Sequence, residues 1–180
     1  MKPSTPLLVA GLLVCALFAP ASFAAKPTPL SVEYAGFGYN TSFQVYDDIF
    51  PVTMNLADGK GTFGNTSIVA TVEFMLDFDM APNCPSSDYL PFAAVEYDWA
   101  VVMTMPDLGQ LFGHFNEGWL CFNMTTGHQV GFVTGDFTGG IGRFAGASGS
   151  WDSPFEGHSL DSSTGFRSWD GSISGTVEWP

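Results

Sequence analysis

His114 and Asn116 stand two apart in residues 111–124, in phase with Phe112, Leu120, Phe122 and Met124. If that phase faces an interior, an imidazole and an amide project into an apolar space, where polar groups orient a ligand or move a proton. If the opposite phase is interior, with Leu111, Phe115 and Trp119, both groups are solvated, and the alternation alone leaves the two readings open. Tyr97 and Trp99 share a phase with Val95, Val101, Met103 and Met105. With Trp119 they offer flat faces to a sugar or phenolic ring, although core packing accounts for most of the tryptophans, Trp151, Trp169 and Trp179 included. His114, Asn116, Tyr97, Trp99 and Trp119 are therefore the candidate ligand contacts.

Other chemistries fare worse. Glu156 and His158 also stand two apart, and with His128 they supply donors that suit zinc, but the histidines lie in separate segments without metal-ligand spacing. Asp77 with Asp79, and Asp47 with Asp48, lack the spacing of a calcium loop. No metal and no other cofactor is expected. Gly146-Ala147-Ser148-Gly149 brings its second glycine one residue too early for a nucleophile elbow, and no helix follows it. The glycine-dense GDFTGGIGRFAGASGSW (135–151) lacks the Gly-Lys-Ser/Thr ending of a phosphate loop. No catalytic residue is assigned.

The elements that must position these groups are strands. Ile68, Ala70, Val72, Phe74, Leu76 and Phe78 alternate with more polar neighbours through 67–79, and the same period of two runs through 95–105 and 172–179. Further strands are expected at 30–39, 111–124, 129–137 and 144–152. Turn chemistry falls at 58–61, 106–109, 125–127 and 139–142. Links this short join antiparallel neighbours, which gives one all-β domain, a barrel or a sandwich. In such a sheet Gly139, Gly140 and Gly142 form a turn, while Gly146 and Gly149 relieve crowding along the next strand.

Residues 138–150, Thr138-Gly139-Gly140-Ile141-Gly142-Arg143-Phe144-Ala145-Gly146-Ala147-Ser148-Gly149-Ser150, resemble the Gly-Gly-Thr-Gly-x-Phe-x-x-Ala-x-Gly signature of the allene oxide cyclase and dirigent superfamily, including its secreted bacterial branch. Residues 171–177 are similar to the closing strand of the bacterial members. The resemblance implies a single antiparallel eight-stranded, calycin-like β-barrel with a mostly apolar cavity and no cofactor. Ile141 departs from the usual Thr or Ser. The signature residues Gly139, Gly140, Gly142, Phe144, Gly146 and Gly149 are structural and carry no catalytic group across. Dimers and trimers occur in the superfamily, so a homo-oligomer stays open.

Lys2, an apolar run over 7–18 and Ser22-Phe23-Ala24 read as a signal peptide over 1–24, leaving one domain over 25–180 that is secreted or periplasmic. The apolar run is too short to span a bilayer, and Val14 before Cys15 is too large for a lipid-attachment site. The remaining Cys84 and Cys121 read as a disulfide, because an oxidising compartment favours pairing and Cys84 lies in a Pro- and Ser-rich loop. Asn40, Asn65 and Asn123 match the glycosylation pattern, which matters only in a eukaryotic secretory pathway. Loss of Lys2 takes the net charge from −13 to −14, which excludes nucleic acid and anionic membranes as partners. The expected function is an exported barrel that binds a small apolar or phenolic molecule in its lumen. The alternatives are a cofactor-free cyclase or isomerase that works by orientation and water exclusion, or a structural envelope or extracellular protein.

Overall fold

Alternating β-branched and aromatic residues become ten strands in the computed structural model, which describes residues 26–41, 52–94 and 100–180. They are β1 (Thr28–Asn40), β2 (Thr53–Gly61), β3 (Gly64–Val72), β4 (Phe74–Leu76), β5 (Tyr89–Ala94), β6 (Ala100–Thr104), β7 (Gln110–Asn123), β8 (His128–Ile141), β9 (Ser148–Asp161) and β10 (Phe166–Glu178). The expected leader, Tyr97, Trp99, Asp47 and Asp48 lie outside the described residues.

Every pairing is antiparallel. β3 pairs with β6 and β4 with β5, and both β5 and β6 lie against β7, so two staves of the wall are each made of two pieces. From β7 the sheet runs through β8, β9 and β10 back to β1, whose register extends from Thr28↔Val177 to Gly38↔Arg167. The result is a closed antiparallel eight-stranded β-barrel. Closure removes the unpaired strand edges on which foreign strands dock.

Four local expectations are corrected. The strand expected over 67–79 stops at Leu76, where the Asp77 carboxylate accepts from the Asp79 amide at 2.9 Å and caps a 3-10 segment, Phe78–Asn83. Asp58-Gly59-Lys60-Gly61 is strand and not turn; a Cβ on Gly61 would lie 1.8 Å from the Ser31 carbonyl oxygen, so those glycines serve close approach to β1. Gly139 and Gly140 lie within β8, which ends at Ile141, and the reversal runs from Gly142 to Ala147, with Gly142 and Gly146 at φ 65° and 75°. Phe144 therefore sits in the turn, and β9 begins at Ser148. Gly149 does relieve crowding, since a Cβ there would lie 2.0 Å from the Thr176 carbonyl oxygen.

The two ends are held differently. At the lower end Phe144, fully buried, meets Phe63 and Trp179 edge-on at 5.2 and 5.3 Å between centroids. Arg143 covers the Phe144 ring at 4.7 Å and pairs with Asp107 at 3.2 Å. Met103, Met105, Leu111 and Val177 are buried and belong to the same core. At the upper end the Cys84–Cys121 disulfide ties the loop after the 3-10 segment to β7. No helix among the described residues is long and apolar enough to cross a membrane, which says nothing about strands.

Candidate functional site

The barrel interior begins with a slip in β7. Leu111, Gly113 and Phe115 face inward, but the register against β8 shifts between Phe115 and Glu117, and beyond the bulge it is Leu120 that is buried in the interior, with Phe122 beside it. One inserted residue moves the inward phase from odd to even numbers. His114 and Asn116 fall before and at the slip, so they lie on the outer face even though Leu120 and Phe122 face in. The Asn116 amide donates to the Asp136 carboxylate at 3.0 Å, and Asp136 stands opposite His114 in the β7–β8 register. His114 lines a shallow surface depression with Ala100, Phe112 and Thr138. Trp119, paired with Phe132, is also on the outer wall. None of these three lines the lumen. The trace of the slip in the sequence is the consecutive polar pair Asn116-Glu117 between two apolar runs.

The inward residues of the middle of the barrel enclose a cavity of about 90 Å³, walled by Ile68, Ala70, Val72, Val101, Phe115, Val133, Phe155 and Ile173. That is several times the roughly 10–15 Å³ that admits one water molecule. Trp151 and Trp169 line it too, with Tyr34, Asn55 and Ser153. The large rings lie flat on the wall because glycines on the neighbouring strands leave room for them. A Cβ on Gly135 would lie 2.3 Å from the Trp151 ring, one on Gly131 2.2 Å from Phe155, and one on Gly157 2.6 Å from Trp169. A side chain at any of these positions would clash with the ring and the neighbouring backbone, and one of them would have to shift.

The polar groups of this cavity are few and mostly unsatisfied. The Tyr34 hydroxyl and the Ser153 hydroxyl share a hydrogen bond at 3.0 Å. Burial raises the Tyr34 pKa above its ordinary value, partly opposed by the Ser153 bond, so the phenol keeps its proton. Trp151 Nε1, Trp169 Nε1 and Asn55 Oδ1 are buried and make no hydrogen bond among the described residues. Two of them converge at Gly38, where a Cβ would lie 2.3 Å from Asn55 Oδ1 and 2.5 Å from Trp169 Nε1.

Above this cavity, and sharing Phe74 with it, opens a second of about 180 Å³ lined by Asn40, Thr53, Phe92, Gln129 and Arg167. Arg167 is only 8% exposed. Its guanidinium donates to Asn40 Oδ1 and, at 3.0 Å, to the Gly165 carbonyl, and it lies over the Trp169 ring at 5.7 Å. No carboxylate among the described residues pairs with it, and burial lowers its pKa to about 10. The same contacts place the Asn40 side chain at the cavity, and the Asn123 carboxamide caps its own turn, accepting from the Thr125 and Thr126 amides at 3.0 and 2.9 Å; Asn65 is exposed.

On the outer wall a third group assembles. His128 and His158 face each other across β8 and β9, and Glu156 lies two residues along β9 on the same side. His128 Nε2 meets Glu156 Oε1 at 2.8 Å and His128 Nδ1 meets the Tyr89 hydroxyl at 2.7 Å. Ligand atoms of His128, Glu156 and His158 all lie within 4.8 Å of one another. The three donors named from the sequence lack metal-ligand spacing along the chain, because cross-strand pairing and not a local motif brings them together.

No family model, curated protein or solved structure matches the chain.

Proposed function

We propose that this barrel is an exported binding protein whose lumen takes up one small, mostly apolar molecule, aromatic in its best-fitting form, with an acidic group directed at Arg167. Membership of the allene oxide cyclase and dirigent superfamily, carried by the glycine signature, is part of the same reading. The cysteine pair and the leader-like N-terminus support export.

The observation that carries the reading is the set of orphan polar atoms inside an apolar wall. A buried donor or acceptor left unsatisfied costs about 1–3 kcal/mol, so two indole N–H groups and an amide oxygen around one cavity are a standing penalty that a suitable guest removes. Apolar walls with a small number of placed polar groups are the usual make-up of small-molecule sites. A buried guanidinium with no carboxylate partner among the described residues adds a preference for an anion, and its planar fork suits a carboxylate.

Tryptophan fluorescence titrations with aromatic and aliphatic carboxylic acids, alongside their primary amides, test this. One molecule per chain should bind, acids more tightly than amides, and Arg167→Met should remove that difference while leaving amide binding in place. Folded protein that binds neither series, and from which native mass spectrometry releases no small molecule, would overturn the reading. Conversion of a bound molecule to an isomer would replace binding with catalysis.

A further inference from the structure

The cluster at His128, Glu156 and His158 is independent of the lumen. Two imidazoles and a carboxylate form a set of three protein ligands of the kind that leaves zinc a fourth position for water. The scaffold is firm: β8 and β9 pair continuously from His128↔His158 to Phe137↔Gly149, so the separation of the ligands is fixed by sheet geometry and not by a loop. Ligand atoms of a tetrahedral zinc site lie about 3.4 Å apart, as follows from bond lengths of about 2.0–2.2 Å. Atoms already within 4.8 Å reach that spacing by side-chain rotation alone.

The surroundings fit a metal better than they fit a bare ion pair. Metal-bound histidines typically engage their other ring nitrogen in a hydrogen bond that sets tautomer and orientation. His128 does this already, with Nδ1 against the Tyr89 hydroxyl, which leaves Nε2 aimed at Glu156 and available to a cation. Tyr89 is held in turn by pairing with Asn123 at the upper end of β7, close to Cys121 of the disulfide. Asp170 stands opposite Glu156 in the β9–β10 register, adding a second carboxylate to the neighbourhood of the site. Nitrogen donors favour a first-row transition ion over calcium or magnesium.

We infer that His128 Nε2, His158 and Glu156 bind one divalent transition-metal ion of the zinc class on the outer wall of the barrel, with Tyr89 positioning His128.

Calorimetric titration of the metal-stripped, disulfide-intact protein with Zn²⁺ tests it, with Co²⁺ as a spectroscopic probe. One ion per chain should bind with micromolar or better affinity, and Co²⁺ should give the intense visible absorption of a four-coordinate site. His158→Ala should weaken Zn²⁺ binding at least about 100-fold, and Tyr89→Phe by roughly 10- to 100-fold as for other outer-shell partners. His114→Ala, which touches no member of the cluster, should bind like the parent. Because His158 is exposed, its variant should keep the parent's near-ultraviolet dichroism, and that spectrum separates loss of ligand from loss of fold. Folded parent protein that takes up no Zn²⁺ at 100 micromolar, or a folded His158→Ala protein that binds as tightly as the parent, would overturn the assignment.

Discussion

The lower and middle parts of the barrel are both lined by aromatic and aliphatic side chains, yet one is solid and the other hollow. Below, Phe63, Phe144 and Trp179 meet edge to face and fill the space between staves. In the middle, rings of equal size lie back over Gly131, Gly135 and Gly157 and leave a cavity. The origin of the rings separates the two regions: Phe63 and Phe144 enter from the β2–β3 and β8–β9 turns and Trp179 follows β10, whereas Trp151, Phe155 and Trp169 stand on strands directly opposite glycines. A strand ring with a glycine across from it lies against the backbone, and the three rings of the end segments pack on one another instead. The ends differ in the same way, with aromatic packing below and a covalent tie above.

The largest effect expected from breaking this contrast is at the plug. Phe144→Ala should lose about 3–5 kcal/mol in urea unfolding, because the plug is fully buried and cannot collapse around the hole. At the upper end, the Cys84→Ser, Cys121→Ser double variant should lose roughly 3–4 kcal/mol, the chain-entropy value for a loop spanning 37 residues. Hydrogen exchange in that variant should rise first in β4, β5 and the upper half of β7, with the lower end still protected; uniform loss would mean that the two ends are one cooperative unit.

Gly135→Ala should convert the hollow region toward the solid one. Its new methyl would lie 2.1 Å from the His114 carbonyl oxygen and 2.3 Å from Trp151, so a loss of about 1–3 kcal/mol and a shifted tryptophan emission are expected. Ala70→Phe puts a ring into the lumen from β3, a strand that carries none of Gly131, Gly135 and Gly157. It should change stability by no more than about 1 kcal/mol while lowering carboxylic-acid affinity at least tenfold, a difference of about 1.4 kcal/mol.

The smallest effects are in alkaline stability. The folded Tyr34 phenol keeps its proton above the ordinary value of 10.0, so the unfolded chain releases that proton first and stability falls as pH rises beyond 10. Arg167 acts in the opposite sense: burial lowers its folded pKa to about 10, well below the ordinary guanidinium value, so the unfolded chain holds the extra proton and stability rises with pH above about 10. Denaturation at pH 8 and 11 should therefore show a shallower alkaline loss in Tyr34→Phe and a steeper one in Arg167→Met.

Much of the architecture was legible because it depends on a period of two and on turn residues, both local. β1, β7 and β8 fell close to their expected positions, and the Thr125-Thr126-Gly127 reversal was read directly. β2 was obscured by Gly59 and Gly61, whose role is to let a neighbouring backbone approach, and β5 by its brevity and Pro91. The site was less legible. His114 and Asn116 were grouped with Leu120 and Phe122 by a rhythm that is correct on each side of Asn116 and broken between. Tyr34, Asn55, Ser153 and Arg167 carry no local motif; only inward phase on four separate strands unites them.

The sequence by itself determined that the chain would form strands, where most of them would turn, and that two cysteines were available to pair, since these follow from side-chain alternation, backbone preference and residue count. Tertiary structure alone decided which phase of β7 faces the lumen, which rings lie flat, and that His128, Glu156 and His158 meet. Each of those depends on the register of one strand against another, a quantity set by closing the sheet and absent from any single stretch of chain.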